Sequence, residues 1–475
     1  MKTKDKIRTI LLENTGKNVS GEFLACECGV SRAAVWKAVN SLRENGLEIE
    51  GTTNGGYRLL NALDILSEET VRSDLQFFAS GDNGEKENIR KTAEKLLHSK
   101  IQVFEEIDST NSYAKRLLSE AGNLRDSEGN LTEAGKNLSN SICIAEKQTA
   151  GRGRLGRTFY SPEKNGVYIS MIYAPRGGIK NPALVTALAA LAVKRAINKL
   201  YNLNVQIKWI NDIFYNGRKL CGILAEGITN FESGLIEAAV VGIGLNVYSN
   251  FGEGIPEEVR RVVTSLEECL FDQEKRNLQK ADDLRDLRNI EDTQKVENLH
   301  DLQNIGNMQK TENLRDLQNK AECFEKPVPD KQNDCINSPA VSLCRSKLAA
   351  LIAVEFFSIM ESIWEEKDSV GESSTTAVFG EILSGAVLEE GFCSEVADCK
   401  KNLQNLMVEY QESSCLIGRE IFVHPVAGAV SGVEKETYKA KVLGIDQNAS
   451  LLVELEDGSR KSLSSGEVSI GSGNV

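Results

Sequence analysis

The segment 145–157, AEKQTAGRGRLGR, combines residue types that bind small anions. It contains three glycines and three arginines, which are Gly151, Gly153, Gly156, Arg152, Arg154 and Arg157. Glycine lets the backbone approach a ligand closely and adopt angles that other residues avoid. Arginine supplies a planar, permanently charged donor that suits a carboxylate or a phosphate. We therefore predict that this loop, between apolar runs at 141–145 and 166–173, wraps around a small anion.

Three other interpretations of glycine-rich segments fit less well. A disordered Arg-Gly tract that binds RNA would be long and repetitive, whereas this loop is short and lies between predicted strands. A Walker loop is excluded because no Lys-Ser/Thr pair follows the glycines. Further along, Gly242-Ile-Gly-Leu-Asn lacks the third glycine of a dinucleotide-binding fingerprint, so a Rossmann site is not expected.

A second polar group, Ser109, Thr110 and Asn111, lies where a predicted strand at 101–107 gives way to a predicted helix at 112–118. Hydroxyl and amide groups at the start of a helix form a cradle for a neutral group that donates and accepts hydrogen bonds. Taken alone, the same residues are typical of an ordinary helix N-cap.

The first 63 residues predict a winged helix-turn-helix domain. Apolar spacing marks helices at 5–13, 21–28 and 32–45, and two extended pieces at 47–51 and 57–60 form the wing. In this design the third helix enters the major groove of DNA. A protein-interaction module is the alternative, but arginine and asparagine on the polar face can read base edges. The residues that we assign to DNA contact are Ser31, Arg32, Trp36, Lys37 and Asn40.

Composition limits the other functions. The net charge of −13 argues against a protein that coats nucleic acid, so DNA binding must come from a local patch. Eleven cysteines, an odd number, favour reduced thiols in the cytoplasm over disulfides. Cys26 and Cys28 lack a second pair of ligands, so a zinc site is not expected. The start of the chain lacks the pattern of a signal peptide, and no apolar run is long enough to span a membrane.

The middle of the chain predicts a mixed α/β sheet. After a polar helical connector at 64–99, a helix at 182–201 and strands at 205–210, 219–226 and 238–246 indicate a sheet with helices on one face. The turn 215–218 carries an Asn-Gly pair and is predicted as a hairpin tip. A helix at 343–364 resumes this globular pattern after a polar insertion at about 267–342.

The large insertion repeats itself. A Leu-Arg/His-Asp-Leu motif begins at Leu284, Leu299 and Leu314, a step of 15 residues (299 − 284). The insertion is polar and predicts a solvated helix or a disordered segment, since two apolar positions per repeat make too thin a seam for a coiled coil. Another irregular insertion is predicted at 368–399. The tail alternates like short strands at 420–424, 438–445, 451–455 and 461–463, which predicts a small SH3-like barrel.

Taken together and in order, the motifs closely resemble the biotin protein ligase family. They begin at Asp108 (DSTN), Glu146 (EKQTAGRGRLGR), Lys208 (KWIND), Arg218 (RKLCGIL), Gly242 (GIGLN) and Thr264 (TSL). The N-terminal module is similar to that of members that also serve as the biotin operon repressor. The tail, with SGEVS at 465–469, resembles the C-terminal domain of the family.

The resemblance implies an α+β fold in five parts. These are a winged helix-turn-helix domain (1–63), a connector (64–99), a mixed α/β, class II synthetase-like ligase domain (100–365), an irregular insertion (366–404) and an SH3-like domain (405–475).

By the same resemblance, the protein makes biotinyl-5'-AMP from biotin and ATP with Mg²⁺, then transfers biotin to a lysine of a biotin carboxyl-carrier protein. Lys219 and Arg154 are the expected catalytic residues, because they would neutralise charge around the carboxylate and the α-phosphate. The residues implied for biotin and the adenylate are Ser109, Thr110, Asn111, Gln148, Gly151, Arg152, Gly153, Arg154, Lys219 and Gly222. Those implied for ATP and its Mg²⁺ are Asn211, Asp212 and Asn246, without a metal cage made by the protein. Trp209 is left open between a core role and contact with adenine.

The family resemblance also implies regulation. The bound adenylate would favour a homodimer that binds a two-fold operator DNA in the cytoplasm, with no membrane partner. Two departures, Ile210 in place of proline and Cys221 in place of alanine, remove no group that the chemistry needs. Two alternatives are a relative that transfers lipoate or octanoate and a biotin-sensing regulator without enzymatic activity. The polar set Ser109, Thr110 and Gln148 argues against the first, and Lys219 argues against the second.

Overall fold

The computed structural model describes residues 3–14, 17–44, 47–52, 56–61, 64–81, 84–126, 128–175, 177–230, 234–251, 255–279, 343–364, 394–424 and 437–470. The chain divides into two units, Met1–Cys269 with Leu343–Val475, and Leu270–Ser342. Of the second unit only 270–279 is described, and it is helical. The repeats that begin at Leu284 and most of the predicted irregular insertion lie outside the described residues. Within the described ranges, no helix has the length and apolarity needed to cross a membrane.

The N-terminal module has the predicted order of elements. Helices α1 (Thr3–Glu13), α2 (Gly21–Cys28) and α3 (Arg32–Glu44) precede antiparallel strands β1 (Glu48–Thr52) and β2 (Gly56–Asn61). Serine side chains cap α2 and α3, since Ser20 Oγ accepts from the Phe23 N–H and Ser31 Oγ accepts from the Ala34 N–H. The apolar face of α3, which carries Val35, Val39 and Leu42, is buried.

The central sheet has seven strands. They are β3 (Ile101–Ile107), β4 (Ile142–Gln148), β5 (Gly166–Tyr173), β6 (Gln206–Lys208), β7 (Asp212–Tyr215), β8 (Arg218–Thr229) and β9 (Ile236–Asn246), in the order β3-β4-β5-β9-β8-β7-β6. Only β3 and β4 run parallel among these neighbours. Every residue of β5 is buried, as expected for a central strand covered on both faces.

The Asn216-Gly217 turn is confirmed and leads into β8, which covers the predicted strand 219–226, but the strand before the turn is β7 and not the predicted strand 205–210. The predicted strand 205–210 is wrong in its extent. It ends at Lys208, and the Trp209–Ile210 peptide is cis. A separate four-residue strand, β7, then begins at Asp212.

Helices cover both faces of the sheet, so the prediction of helices on one face is wrong. Ala114 and Leu118 of α6 (Thr110–Glu120) share an apolar cluster with Ile172 of β5. The neighbouring Tyr173 ring contacts Phe356 of the helix Arg345–Trp364, with ring centroids 5.9 Å apart. Successive residues of a strand point to opposite faces, so these helices lie on opposite sides.

Several helices build the layer on the second face. They are α4 (Glu68–Ala79), α5 (Glu87–Leu97), α8 (Pro182–Tyr201) and α10 (Arg345–Trp364), while the short helices α7 (Glu133–Leu138) and α9 (Glu257–Val262) lie in connections. The segment interpreted as a polar connector therefore carries two helices with buried apolar faces, including Leu75 and Ile89. The prediction relied on their many polar residues and missed their amphipathic spacing.

The C-terminal part begins with α11 (Ser394–Glu412), which corrects the prediction of irregular structure for 394–404. Leu403, Leu406, Met407 and Tyr410 are buried at helical spacing. A five-stranded antiparallel sheet follows, made of β10 (Glu420–His424), β11 (Tyr438–Ile445), β12 (Leu451–Leu455), β13 (Arg460–Leu463) and β14 (Glu467–Ser469), in the order β13-β12-β11-β10-β14. The first three strands have the predicted bounds, and β14 was missed because it has only three residues.

Candidate ligand-binding site

One pocket brings together most of the residues singled out in the sequence. It is lined by Ser109, Thr110, Asn111, Gln148, Arg152, Gly153, Arg154, Asn211, Asp212, Lys219 and Gly222 from the predicted set. These side chains come from the start of α6, the end of β4, the Gly-Arg loop and the β7–β8 hairpin. The strand β4 extends to Gln148, three residues beyond the predicted run, and so delivers this side chain to the pocket directly.

The neutral hydrogen-bonding set is held by its own contacts. Gln148 Oε1 accepts from the Thr110 N–H at 2.9 Å and from the Thr110 hydroxyl at 3.2 Å. The amide nitrogen of Gln148 donates to Ser161 Oγ at 2.8 Å. Ser109 is the N-cap of α6 and is 2% exposed. The polar cradle is thus preorganised by bonds between helix, strand and loop.

Asn111 uses its hydrogen-bonding groups within the protein. Its amide nitrogen donates to the Leu224 carbonyl at 3.2 Å and to Glu226 Oε2 at 2.9 Å, and its Oδ1 lies 2.6 Å from Ser170 Oγ. It also packs against Gly242, where an added Cβ would lie 2.0 Å from Asn111 Oδ1. These contacts support a role for Asn111 in shaping the pocket wall.

The Gly-Arg loop is folded back on itself. The Gly151 carbonyl accepts from the Phe159 N–H at 2.9 Å, and the Gly153 N–H donates to the Arg157 carbonyl at 2.7 Å. A Cβ on Gly151 would lie 2.2 Å from the Phe159 carbonyl oxygen, so only glycine fits there. Gly151 is buried and does not line the pocket; it shapes the loop from behind.

The three loop arginines have different partners. Arg154 donates to Asn211 Oδ1 at 2.9 Å and to the Gly466 carbonyl at 3.2 Å, while Arg157 pairs with Glu467 at 2.7 Å. Arg152 lies 3.7 Å from Glu226 and is half-exposed. The pocket therefore gains a wall from residues 466–468, at the start of β14 of the C-terminal sheet. Apart from the family-like SGEVS motif, no sequence pattern predicted this wall.

The cationic side of the pocket centres on Lys219. Its ammonium lies 2.8 Å from Asp212 Oδ1, and Asn211 Nδ2 donates to the same oxygen at 3.1 Å. Lys208 also lines the pocket, and burial lowers its pKa despite attraction from Asp212. We did not predict Lys208 as a site residue, although it begins the KWIND motif.

Phe159 was also missed. Its ring lies against the backbone of Gly222 and Gly244, where an added Cβ would lie 3.3 and 2.4 Å, respectively, from the nearest ring atom. Gly222 and Gly244 are paired across β8 and β9, so their lack of side chains creates the flat surface on which the ring rests. No local sequence signal identifies this contact, because it depends on strand register.

Two residues that the sequence suggested for the site, Asn246 and Trp209, are buried and bonded to other parts of the protein. Asn246 is buried, lies outside the pocket lining and donates to the Thr264 carbonyl at 3.1 Å. Trp209 lines the pocket but is 4% exposed, and its indole N–H donates to the Ala449 carbonyl at 2.7 Å. This burial and contact favour the core interpretation of Trp209. Among the described residues, no cluster of three or more His, Cys, Asp or Glu could hold a metal ion.

The predicted DNA-contacting residues lie on α3, together with its N-cap Ser31. Ser31, Arg32 and Lys37 are exposed, and Trp36 is 56% exposed despite its apolar ring. Asn40 is half-buried, and its Oδ1 accepts from Arg43 at 3.0 Å. Arg43 also donates to the Ile49 carbonyl of the wing. The exposed side chains therefore lie in the first half of α3, whereas Asn40 and Arg43 in its second half are bonded within the module.

Comparison with known proteins finds matches to three family models. The Biotin/lipoate A/B protein ligase family matches residues 127–246, an HTH domain matches 3–58, and the Biotin protein ligase C terminal domain matches 430–471. The residues assigned to DNA contact therefore lie within the HTH match, and all residues that line the pocket except 109–111 lie within the other two matches.

Similar relatives include two proteins described as bifunctional ligase/repressor BirA. That of Bacillus spizizenii is 33% identical over 251 residues, which cover 53% of this chain and 66% of the relative. That of Escherichia coli is 30% identical over 241 residues, which cover 51% and 63%. The match thus spans just under two thirds of these relatives. The structure of the biotin protein ligase from Aquifex aeolicus in complex with biotin and ATP aligns over 78% of this chain and 97% of that one, at 17% identity and a TM-score of 0.40.

Proposed function

Because the chain belongs to the biotin ligase/repressor family, we propose that it is a biotin–protein ligase that also represses transcription. In the proposed reaction, a biotin carboxylate oxygen attacks the α-phosphorus of ATP, pyrophosphate leaves, and biotinyl-5'-AMP forms. The amine of a lysine on a biotin carboxyl-carrier protein then attacks the acyl carbon, loses a proton, and displaces AMP.

The observation that carries the proposal is the combination of two kinds of group in one pocket. Ser109, Thr110 and Gln148 offer hydroxyl and amide groups that suit the neutral ureido ring of biotin. Arg154 and Lys219 offer cations to the carboxylate and the α-phosphate. The first step joins two anions, so it needs charge neutralisation and alignment rather than an acid or a base.

Lys219 has the central role in this account. Its ammonium would either break its contact with Asp212 or keep it while also contacting the substrate. In both cases it would stabilise the charge that develops between the biotin carboxylate and the α-phosphate. Arg152 and Arg154 would close over the adenylate, with Gly153 between them. Asp212 would hold Lys219 in place, a role that its 2.8 Å contact supports.

Magnesium is expected to arrive with ATP. Asp212 and Asn211 offer oxygen ligands, but Asp212 pairs with Lys219 and Asn211 Oδ1 accepts from Arg154. Magnesium usually keeps waters and substrate phosphates as ligands. The phosphate oxygens would therefore supply most of its coordination, with Asp212 as a protein ligand of suitable charge.

For repression, we propose that α3 contacts operator DNA through Ser31, Arg32, Trp36 and Lys37, with Asn40 supporting the helix. The adenylate-bound protein would form a homodimer that matches a two-fold operator. We also propose a cytoplasmic location, because the odd number of cysteines in the sequence, eleven, favours reduced thiols over disulfides. We further propose that the ligase domain is class II synthetase-like and that the five C-terminal strands form an SH3-like barrel.

Pyrophosphate release from ATP tests the enzyme assignment. We expect release with biotin and none with lipoate, because lipoate has no ureido group for Thr110 and Gln148. Release with lipoate at a similar rate would favour the lipoate-transferring alternative. Tight biotin binding without release would instead indicate a sensor that performs no chemistry.

A further inference from the structure

A fully buried arginine connects three distant parts of the chain. Arg345, at the start of α10, is 1% exposed. Its guanidinium makes ion pairs with Asp64, just after the winged helix module, and with Glu146 on β4. The two carboxylate side chains are 8% and 14% exposed, so the whole network is shielded from solvent.

The hydrogen bonds of this network are numerous. Arg345 Nη1 and Nη2 reach Glu146 at 2.5 and 3.1 Å, and Nη2 also donates to the Asp64 carbonyl at 2.9 Å. The backbone N–H of Arg345 donates to Asp64 Oδ1 at 2.7 Å. Tyr248 adds a hydroxyl 3.2 Å from Asp64 Oδ2. Burial by itself lowers the pKa of Arg345, but Glu146 and Asp64 together raise it above its ordinary value, so the guanidinium stays charged.

The two ends of this network lead to different functional regions. Glu146 is two residues before Gln148, whose side chain lines the pocket, and both lie on β4. Asp64 begins the segment that leads from the wing to α4. The next residue of α10, Ser346, donates to the buried Asp74 of α4, a carboxylate that also attracts Arg8 of α1. The start of α10 therefore contacts both β4, which carries Gln148 to the pocket, and the segment that follows the DNA-binding module.

We infer that Arg345 is a positioning residue through which ligand binding and the placement of the DNA-binding module influence each other within one chain. The inference rests on the proposed function, since it assumes that biotin and ATP bind beside Gln148. A shift of the end of β4 on ligand closure must move Glu146 or strain its bonds to Arg345. Because unpairing a buried charge is costly, the shift is passed to Asp64 rather than absorbed.

Hydrogen exchange of the full chain, at concentrations where sedimentation shows a monomer, tests this coupling. In the wild type, biotin with ATP should slow exchange in peptides from 148–160 and, by about fivefold, in those from 64–75. In Glu146→Gln the response at 148–160 should persist, while that at 64–75 should be lost. The amide keeps an acceptor for Arg345, and Asp64 still neutralises the guanidinium, so we expect this variant to fold.

Two further variants complete the test. Asp64→Asn removes the other charge and should also abolish the response at 64–75. Glu355→Gln is the matched control, because it neutralises a buried carboxylate of the same helix that pairs with Lys199, and it should respond like the wild type. An undiminished response at 64–75 in both network variants would overturn the inference. So would a wild type that responds at 148–160 alone, whereas no response at 148–160 would contradict the proposed function as well.

Discussion

Lys219 and Asp212 show how single residues define the chemistry of the pocket. Their 2.8 Å contact places a carboxylate beside the cation that we assign to the reaction. The types of these residues could be predicted from the sequence, because anion chemistry requires cations and flexible backbone. The residues that contact the site residues could not be predicted in this way. Glu226, Glu467 and Phe159 reach them only once strands that are distant in sequence have paired.

Replacing Lys219 with alanine should nearly abolish adenylate formation. Loss of one preorganised donor to a developing charge costs about 3–4 kcal/mol, a rate factor of hundreds. Pyrophosphate release would measure the loss, and circular dichroism would check the fold. Lys136→Ala, which removes an exposed lysine paired with Glu133, is the control and should leave the rate unchanged. Retention of more than about a tenth of the wild-type rate in Lys219→Ala would disprove the assigned role.

Two loop glycines should differ sharply in their tolerance of alanine. A Cβ on Gly151 would lie 2.2 Å from a backbone carbonyl oxygen that cannot move without opening the loop, whereas one on Gly153 would lie 3.3 Å from another. We expect Gly151→Ala to raise the KM for biotin more than about tenfold and Gly153→Ala to raise it less than about threefold. Steady-state kinetics would measure both. An equal effect would show that steric fit behind the loop does not determine its conformation.

At the scale of elements, local patterns predicted long or strongly punctuated segments well. The helix α8 has the predicted bounds because Asn181 and Pro182 mark its start. Strand β7 was missed because its four residues carry no clear alternation. Helix α11 was missed because its apolar spacing follows a polar stretch. Helices lie on both faces of the central sheet because α6 packs on the face opposite to α10. The sequence of a single segment does not show on which face of a sheet a helix packs.

The exposed cations of α3 should determine the affinity for DNA and its dependence on salt. The double variant Arg32→Ala and Lys37→Ala should weaken binding to DNA and lower the slope of log affinity against log salt by about two, one for each lost phosphate contact. Fluorescence anisotropy at several salt concentrations would measure this. The exposed lysines Lys91 and Lys136, replaced together by alanine, provide the control. An unchanged slope in the α3 variant would exclude this helix as the contact surface.

The pair Asp108–Arg116, near the start of α6, should make the stability of the protein depend on pH in the acid range. A hydrogen bond from Arg116 holds the pKa of Asp108 at about 2, below its ordinary value. The stabilisation is therefore complete above pH ~4 and is lost as the pH falls towards 2. Because both side chains are nearly half-exposed, Arg116→Ala should cost less than about 1 kcal/mol at pH 7. Thermal unfolding should show that the difference in stability between the wild type and Arg116→Ala disappears between pH 4 and 2. A difference that stays constant over this range would contradict the role assigned to the Asp108–Arg116 pair.

At the scale of the whole molecule, the pocket depends on parts that are far apart in sequence. Its walls are made by residues from five segments, 109–111, 148–159, 208–224, 242–244 and 466–468. Arg345 connects β4, one of the strands of the pocket, to the segment after the DNA-binding module. The set of motifs predicted the family, because their joint order is specific. The wall from the C-terminal sheet and the buried network emerged only from the folded structure.

The most direct test of the proposed function is the transfer of labelled biotin to a carrier protein. The purified full chain would be incubated with labelled biotin, ATP, Mg²⁺ and a biotin carboxyl-carrier domain, and the label on the carrier lysine would be followed by mass spectrometry. We predict ATP-dependent labelling of one lysine, lost when that lysine is replaced by arginine. Adenylate formation without any transfer to the carrier, or no labelling at all, would contradict the assignment as a biotin–protein ligase.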